Sequence, residues 1–336
     1  MLAGCTGPST QSSVDPMGPQ ARHLSRLWWF FCYSLSAIFV IVVIVLLLST
    51  YKGWRESRRA LEDEHDEERP LIVPEPERER SMKRVVLGAT LLTGLMLFVY
   101  LIMSFITGRA ISSPLHAENV LTIEVKGHQW WWEARYSDPT PSRIFTTANE
   151  IHIPVGRPVM LKMTSTDVIH SFWVPNLMGK KDLIPGKDTT LMFQADRPGV
   201  YRGQCAEYCG LQHAHMAFIV VAESEEQFAA WREAQINPAL EPQSDSEKRG
   251  QQVFLSSPCI MCHTVRGTQA GSLIGPDLTH VGSRQTIAAA TLPNTRGHLS
   301  GWIVDSQSVK PGNRMPPNSL NPEDLQALLD YLQSLK

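Results

Sequence analysis

Two uncharged runs, "LWWFFCYSLSAIFVIVVIVLLLSTY" at 27–51 and "VVLGATLLTGLMLFVYLIMSFITG" at 85–108, constrain this chain more than any other feature. Each is longer than the roughly 20 apolar residues that span a hydrocarbon core about 30 Å thick. A helix buried inside a soluble domain has no use for such length, so the pair reads as a membrane hairpin over 25–110. Trp28 and Trp29 stand at one end of the first run and Tyr51 and Trp54 at the other, where amphipathic rings favour the membrane interface.

The connecting loop, 52–84, carries Lys52, Arg55, Arg58, Arg59, Arg69, Arg78, Arg80, Lys83 and Arg84, whereas the preceding tail has Arg22 and Arg26. Orientation follows the Lys/Arg count and not net charge, so the loop is cytoplasmic and both termini lie outside. In a Gram-negative cell that outside is the oxidising periplasm, where thiols pair unless a metal or covalent cofactor occupies them. The opening "MLAGC" has the residue order of a lipoprotein cleavage box with Cys5 as acceptor, but neither of the usual preceding regions of a signal peptide.

At 336 residues, 43% hydrophobic and 19% charged, the chain is long enough for more than one core. Its formal charge of −2 excludes the basic excess that phosphate recognition requires, and with it a nucleic-acid partner. From 111 to 222 short alternating runs, such as Leu121, Ile123 and Val125 on one face, are punctuated by "PVGRP" and "RPG", which predicts an all-β sandwich or barrel. A helix and a polar linker follow over 223–245, and a third unit occupies 246–336. That unit ends in "NPEDLQALLDYLQSLK", in which Asn321 caps, Pro322 takes the first helical position, and Leu325, Leu328, Leu329 and Leu332 form an apolar stripe.

The stretch "GQCAEYCGLQHAHM", 203–216, concentrates soft-donor chemistry: Cys205, Cys209, His213 and Met216, with His170 upstream in "DVIHSFWVP". Thiolates, imidazoles and a thioether together suit copper. Zinc would be satisfied by two cysteines and two histidines and gain nothing from a thioether. A mononuclear blue-copper site uses one cysteine; two thiolates on one tight loop can instead bridge two copper ions. A Cys205–Cys209 disulfide and a structural zinc remain the alternatives to be excluded. His215 lies outside this spacing, although on a β-strand it would point the same way as His213.

"CIMCH", 259–263, is the Cys-x-x-Cys-His attachment signature for c-type haem: Cys259 and Cys262 meet the two vinyl groups and His263 is delivered to iron. Met315 in "NRMPP" is the only methionine that follows, which makes it the sixth ligand by elimination. His280 and His298 are the rival ligands.

The segments "GHQWWWEARY", "DVIHSFWVP", "KKDLIPGK" and "RPGVYRGQCAEYCGLQHAHM" closely resemble cytochrome c oxidase subunit II over about residues 20–222, and "GPDLTHVGSR" resembles the loop after the haem motif in cytochrome c domains fused to oxidase subunits. The resemblance is to subunit II of caa-type haem-copper oxidases. It implies a two-helix hairpin, a cupredoxin barrel with the binuclear CuA centre, and a C-terminal all-α class I cytochrome c domain. The implied copper ligands are His170, Cys205, Glu207 through its backbone carbonyl, Cys209, His213 and Met216. It also implies a magnesium ion shared with subunit I through the Glu207 carboxylate, with Asp182 nearby, and electron entrance at Trp130; Trp132 is assigned to core packing.

The implied partners are subunits I and III in a bacterial inner membrane, and a periplasmic donor that is a cytochrome c or a quinol:cytochrome c reductase. Electrons would pass from haem c to CuA and on to subunit I, where dioxygen is reduced and protons are translocated. A nitric-oxide or nitrous-oxide reductase subunit and a membrane-anchored copper carrier are the competing functions; a quinol oxidase subunit would lack the copper donors. One departure stands out: the region "ERERSMKRVVLGAT" has no tryptophan for the Glu-x-x-Trp pattern at the mouth of the family's proton path, leaving Glu79 as a guess.

Overall fold

A computed structural model describes residues 10–62, 76–112 and 119–336; Cys5 and Arg69 lie outside the described residues. The chain divides into two compact units, one formed by His23–Ser113 and the other by the N-terminal segment together with Pro114–Lys336.

The first unit is the hairpin. Helix α1 (Pro19–Glu62) and helix α2 (Pro76–Ser112) both carry uncharged stretches long enough to cross a membrane. Leu47 and Leu101 are 63% and 64% exposed, a pattern that lipid satisfies and water does not. Tyr100 of α2 donates to Ser34 Oγ of α1 at 2.7 Å and lies edge-on to Phe31 at 4.9 Å, a contact that pairs the two helices. Glu79, in the first turn of α2, forms an ion pair with Lys83 at 3.0 Å.

In the second unit ten strands build two five-stranded sheets. The strands are β1 (Leu121–His128), β2 (Trp131–Tyr136), β3 (Phe145–Ala148), β4 (Glu150–Pro154), β5 (Val159–Ser165), β6 (His170–Trp173), β7 (Lys181–Leu183), β8 (Thr189–Phe193), β9 (Gly199–Cys205) and β10 (Ala217–Glu223). Their order is β3-β2-β1-β5-β8 in one sheet and β4-β10-β9-β6-β7 in the other. The pairs β1–β5 and β4–β10 are parallel; the other pairings are antiparallel. Alternation along β1 buries Leu121, Ile123 and Val125 in one core with Trp132 and Phe193 of the same sheet and Phe172 and Phe218 of the facing sheet, as a period-two pattern demands. This is a cupredoxin-like β-sandwich.

Two segments assigned to neighbouring regions by sequence pack onto this sandwich. In the N-terminal tail, expected as a separate segment over 1–24, Met17 N donates to Asn176 O at 2.7 Å and Arg202 N donates to Thr10 O at 2.8 Å. Helix α3 (Glu225–Ile236), opened by a Ser224/Gln227 capping box, buries Phe228 in the sandwich core and stacks Trp231 on His152 at 4.1 Å. The helix read over 223–236 is thus part of the sandwich, and the polar linker follows it after Ile236.

The C-terminal domain contains helices α4 (Asp245–Ser256), α5 (Arg296–Val304), α6 (Ser306–Val309) and α7 (Pro322–Ser334), with a small antiparallel ribbon, β11 (Thr286–Ile287) and β12 (Leu292–Pro293), between α4 and α5. Its core joins Phe254 of α4 to Leu328, Leu329 and Leu332 of α7, the stripe read from sequence. The two helices cross at Gly250, where a Cβ would meet the Ala327 carbonyl oxygen at 2.0 Å, so only glycine permits the approach. Asn321 caps α7 by accepting from Asp324 N at 2.8 Å.

Candidate copper centre and haem cavity

Strands β6 and β9 are neighbours, with Phe172 opposite Cys205, so His170 is placed beside the strand end from which the cysteine loop departs. The loop closes on itself where Cys205 N donates to Met216 O at 2.9 Å. Inside it Cys205 Sγ lies 3.7 Å from Cys209 Sγ and 3.9 Å from His170 Nδ1; Cys209 Sγ lies 3.6 Å from His213 Nδ1 and 3.8 Å from Met216 Sδ. The Glu207 carbonyl oxygen is 3.2 Å from Cys205 Sγ.

These separations test what the loop fits. A disulfide requires about 2.05 Å between sulfurs, and both thiols are free. Donors that share one first-row metal at about 2.0–2.3 Å lie roughly 3.3–4 Å apart, which matches the four separations of 3.6–3.9 Å among the cysteine, histidine and methionine donors. The thioether converging with two thiols and two imidazoles favours copper over zinc. Hydrogen bonding from Cys209, helped by His170, holds the Cys205 thiol well below the usual thiol range although burial opposes it, so a thiolate is ready for a cation.

Sequence reasoning missed Asp167. Its carboxylate receives His170 Nε2 at 2.8 Å and Gln129 N at 2.7 Å, fixing the fully buried imidazole so that Nδ1 faces the sulfurs. Burial favours protonation of Asp167, but the bonds from His170, Val168 N and Gln129 N outweigh it and hold the carboxyl below its usual range. The Asp-x-x-His spacing ahead of a strand was the available signal. Gly127 belongs to the same arrangement, because a Cβ there would lie 2.7 Å from the His170 ring.

His215 is not on a strand, contrary to the geometry considered above. His213–His215 form one 3-10 turn, which rotates successive side chains by about 120°; His215 turns away to bond Gln212 Oε1 at 2.8 Å. Trp130 Nε1 and Gln129 Nε2 donate to the Cys209 carbonyl at 3.0 and 2.8 Å, placing that indole on the cysteine loop. Trp132 is fully buried in the core. Glu207 is half-exposed and pairs with Lys180 at 3.6 Å, and Asp182 sits on β7 opposite Ser171.

The second site is a cavity whose lining includes Cys259, Cys262, His263 and Met315. His263 Nδ1 meets the Pro276 carbonyl at 2.8 Å, which assigns the proton to Nδ1 and the lone pair to Nε2. Burial holds this imidazole below its usual pKa and therefore neutral. Gly275 makes room for the ring, since a Cβ there would stand 2.9 Å from His263 Cε1. Met315 is fixed through its backbone: its N–H donates to Asn313 Oδ1 at 2.8 Å and its carbonyl accepts from Gln307 Nε2 at 2.9 Å.

Buried Arg284 Nε and Thr286 Oγ1 on the same wall have no hydrogen-bond partner among the described residues, and buried polar atoms of this kind await an acceptor. A porphyrin with carboxylate side chains fits the cavity. His280, bonded through both ring nitrogens to Lys336 O and Asn237 O, and His298, bonded to Thr295, are absent from its lining.

Residues 139–223 match the family description "Cytochrome C oxidase subunit II, periplasmic domain", and 247–336 match "Cytochrome c". The chain is 35% identical to cytochrome c oxidase subunit 2 of Alkalihalophilus pseudofirmus, covering 100% of this chain and 94% of that protein. It is 31% identical to the Bacillus subtilis subunit 2, over 66% of this chain and 64% of the relative. Among solved structures, the periplasmic domain of subunit II of cytochrome oxidase from Bradyrhizobium japonicum is similar at 32% identity over 34% of this chain and 92% of that one, with a TM-score of 0.33. The cytochrome domain implies haem c and the subunit II domain implies copper. From its full-length similarity and its two domains, the chain belongs to the cytochrome c oxidase subunit 2 family, as a member with a fused cytochrome c domain.

Proposed function

We propose that this electron-transfer subunit holds haem c through Cys259 and Cys262, with His263 and Met315 as axial ligands. It holds binuclear CuA through His170, Cys205, Cys209, His213, Met216 and the Glu207 carbonyl. When bound, these groups supply one-electron redox chemistry at potentials set by their soft ligands. The chain's own work is to orient the ligands, exclude water and bring the two domains together, with Trp130 as the residue through which electrons enter the copper domain. The convergence of two thiols, two imidazoles and a thioether within 3.6–3.9 Å steps carries the reading.

The hairpin anchors the subunit in a bacterial inner membrane with both soluble domains on the periplasmic face, over the sequence regions 25–110, 111–222 and 246–336. Subunits I and III are its partners and a periplasmic cytochrome c or quinol:cytochrome c reductase its donor. Dioxygen is reduced, and protons are translocated, in subunit I. Glu207 and Asp182 offer carboxylates to a magnesium ion at that border.

The purified complex tests this reading. With a reduced cytochrome donor it should consume dioxygen, and Cys209→Ser should abolish uptake while the haem c absorption stays reducible. Wild-type uptake by the Cys209→Ser complex would overturn the assignment.

A further inference from the structure

The cavity that carries the haem ligands is closed partly by the other domain: His128, Trp130 and Trp131 of the copper domain stand in its lining. His128 and Trp131 stack at 4.2 Å, and Trp130 continues to the Cys209 carbonyl.

The bonds around this wall are unusual. Lys310 is 3% exposed, and its Nζ donates to Trp130 O at 2.8 Å and to Ala288 O at 3.3 Å. Burial pushes its ammonium down to about 7; the neutral amine still has enough N–H donors for both carbonyls. The next residues touch the cysteine loop, with Gln212 Nε2 donating to Pro311 O at 2.7 Å. The chain from Lys310 to Met315 therefore has one end on the copper domain and the other at the proposed haem ligand.

The tip of the β11–β12 ribbon adds a second set. Ala288, Ala289 and Ala290 have φ of 52°, 58° and 54°, three successive L-residues in the left-handed region that sterics disfavour. All three carbonyls are used. Ala288 O accepts from Lys310, Ala289 O from Ala217 N at 3.1 Å, and Ala290 O from Arg202 Nη1 at 3.0 Å. Local preference for alanine is the right-handed helix, so contacts with the copper domain must maintain the turn.

We propose that Lys310 and the left-handed Ala288–Ala290 turn are positioning residues, a clasp that holds the haem cavity against the Gln129–Trp131 loop so that electrons cross between the domains at fixed separation. This rests on the cofactor assignment above. Without the clasp, the cytochrome domain swings on its linker, and transfer waits on re-encounter.

The test uses the intact oxidase complex, with rapid photoreduction of haem c and optical detection of copper reduction, at increasing glycerol viscosity. The wild-type rate should be independent of viscosity. Lys310→Met should slow it at least tenfold and make it viscosity-dependent, and Arg202→Gln should slow it several-fold, each with unchanged haem and copper spectra. Should Lys310→Met fail to assemble, Arg202→Gln and the wild-type viscosity series decide. A viscosity-dependent wild type, or variants with both spectra intact that transfer at the wild-type rate, would overturn the clasp. Absence of a copper or haem spectrum from the wild type would defeat the cofactor assignment instead.

Discussion

Asp167 joins three parts of the molecule through one carboxylate: it anchors His170, accepts Gln129 N ahead of Trp130, and lies 3.9 Å from Arg314 of the cytochrome domain. Replacing it by Asn keeps the shape but removes the charge that orients the imidazole. For Asp167→Asn, copper affinity measured by competition with a chelator should fall about 10–100-fold, with the haem c spectrum unchanged; unaltered affinity would mean that the loop alone orients His170. The two histidines of "HAH" show how fine this scale is, since one 3-10 turn sends His213 to the sulfurs and His215 to Gln212. Sequence spacing alone selects between them by motif, and the turn supplies the reason.

Among the elements, β4, β10 and α3 meet around His152, which is bonded to Glu150 at 3.0 Å and Glu223 at 2.9 Å and stacked on Trp231. The Tyr136 hydroxyl bonds the His152 backbone, and Glu150 also accepts Gln285 N of the cytochrome domain and interacts through its charge with the buried Arg284 guanidinium. Burial lowers the His152 pKa, but the two carboxylates outweigh it and the net shift is upward. A raised folded pKa stabilises the fold below the unfolded value of about 6.5, and that contribution is lost as pH rises through the folded value. The loss in melting temperature caused by His152→Gln should therefore be larger at pH 6 than at pH 9 (about those values); an equal loss at both would contradict the ion-paired assignment. Phe228→Ala tests whether α3 belongs to the sandwich: it should destabilise the copper domain by about 3–5 kcal/mol in denaturant unfolding, whereas a linker helix would leave the domain unaffected.

Over the whole molecule, legibility in the sequence followed how local each constraint was. The hairpin was readable because lipid demands long uncharged runs, and the copper loop because four of its side-chain donors fall within 205–216. The partnership of α3 with the sandwich was not, since an amphipathic helix does not name the surface that covers it. "AAA" at 288–290 reads locally as helix, and Lys310 reads as a solvated loop residue; both take their roles from contacts across the domain junction. The central claim, that one chain carries paired copper beside a tethered haem c, is tested most directly by metal analysis and EPR of the purified wild-type subunit. The account predicts about two coppers per iron, with one unpaired electron shared equally over two copper nuclei. Zinc at the cysteine loop, or a signal confined to a single copper nucleus, would contradict it.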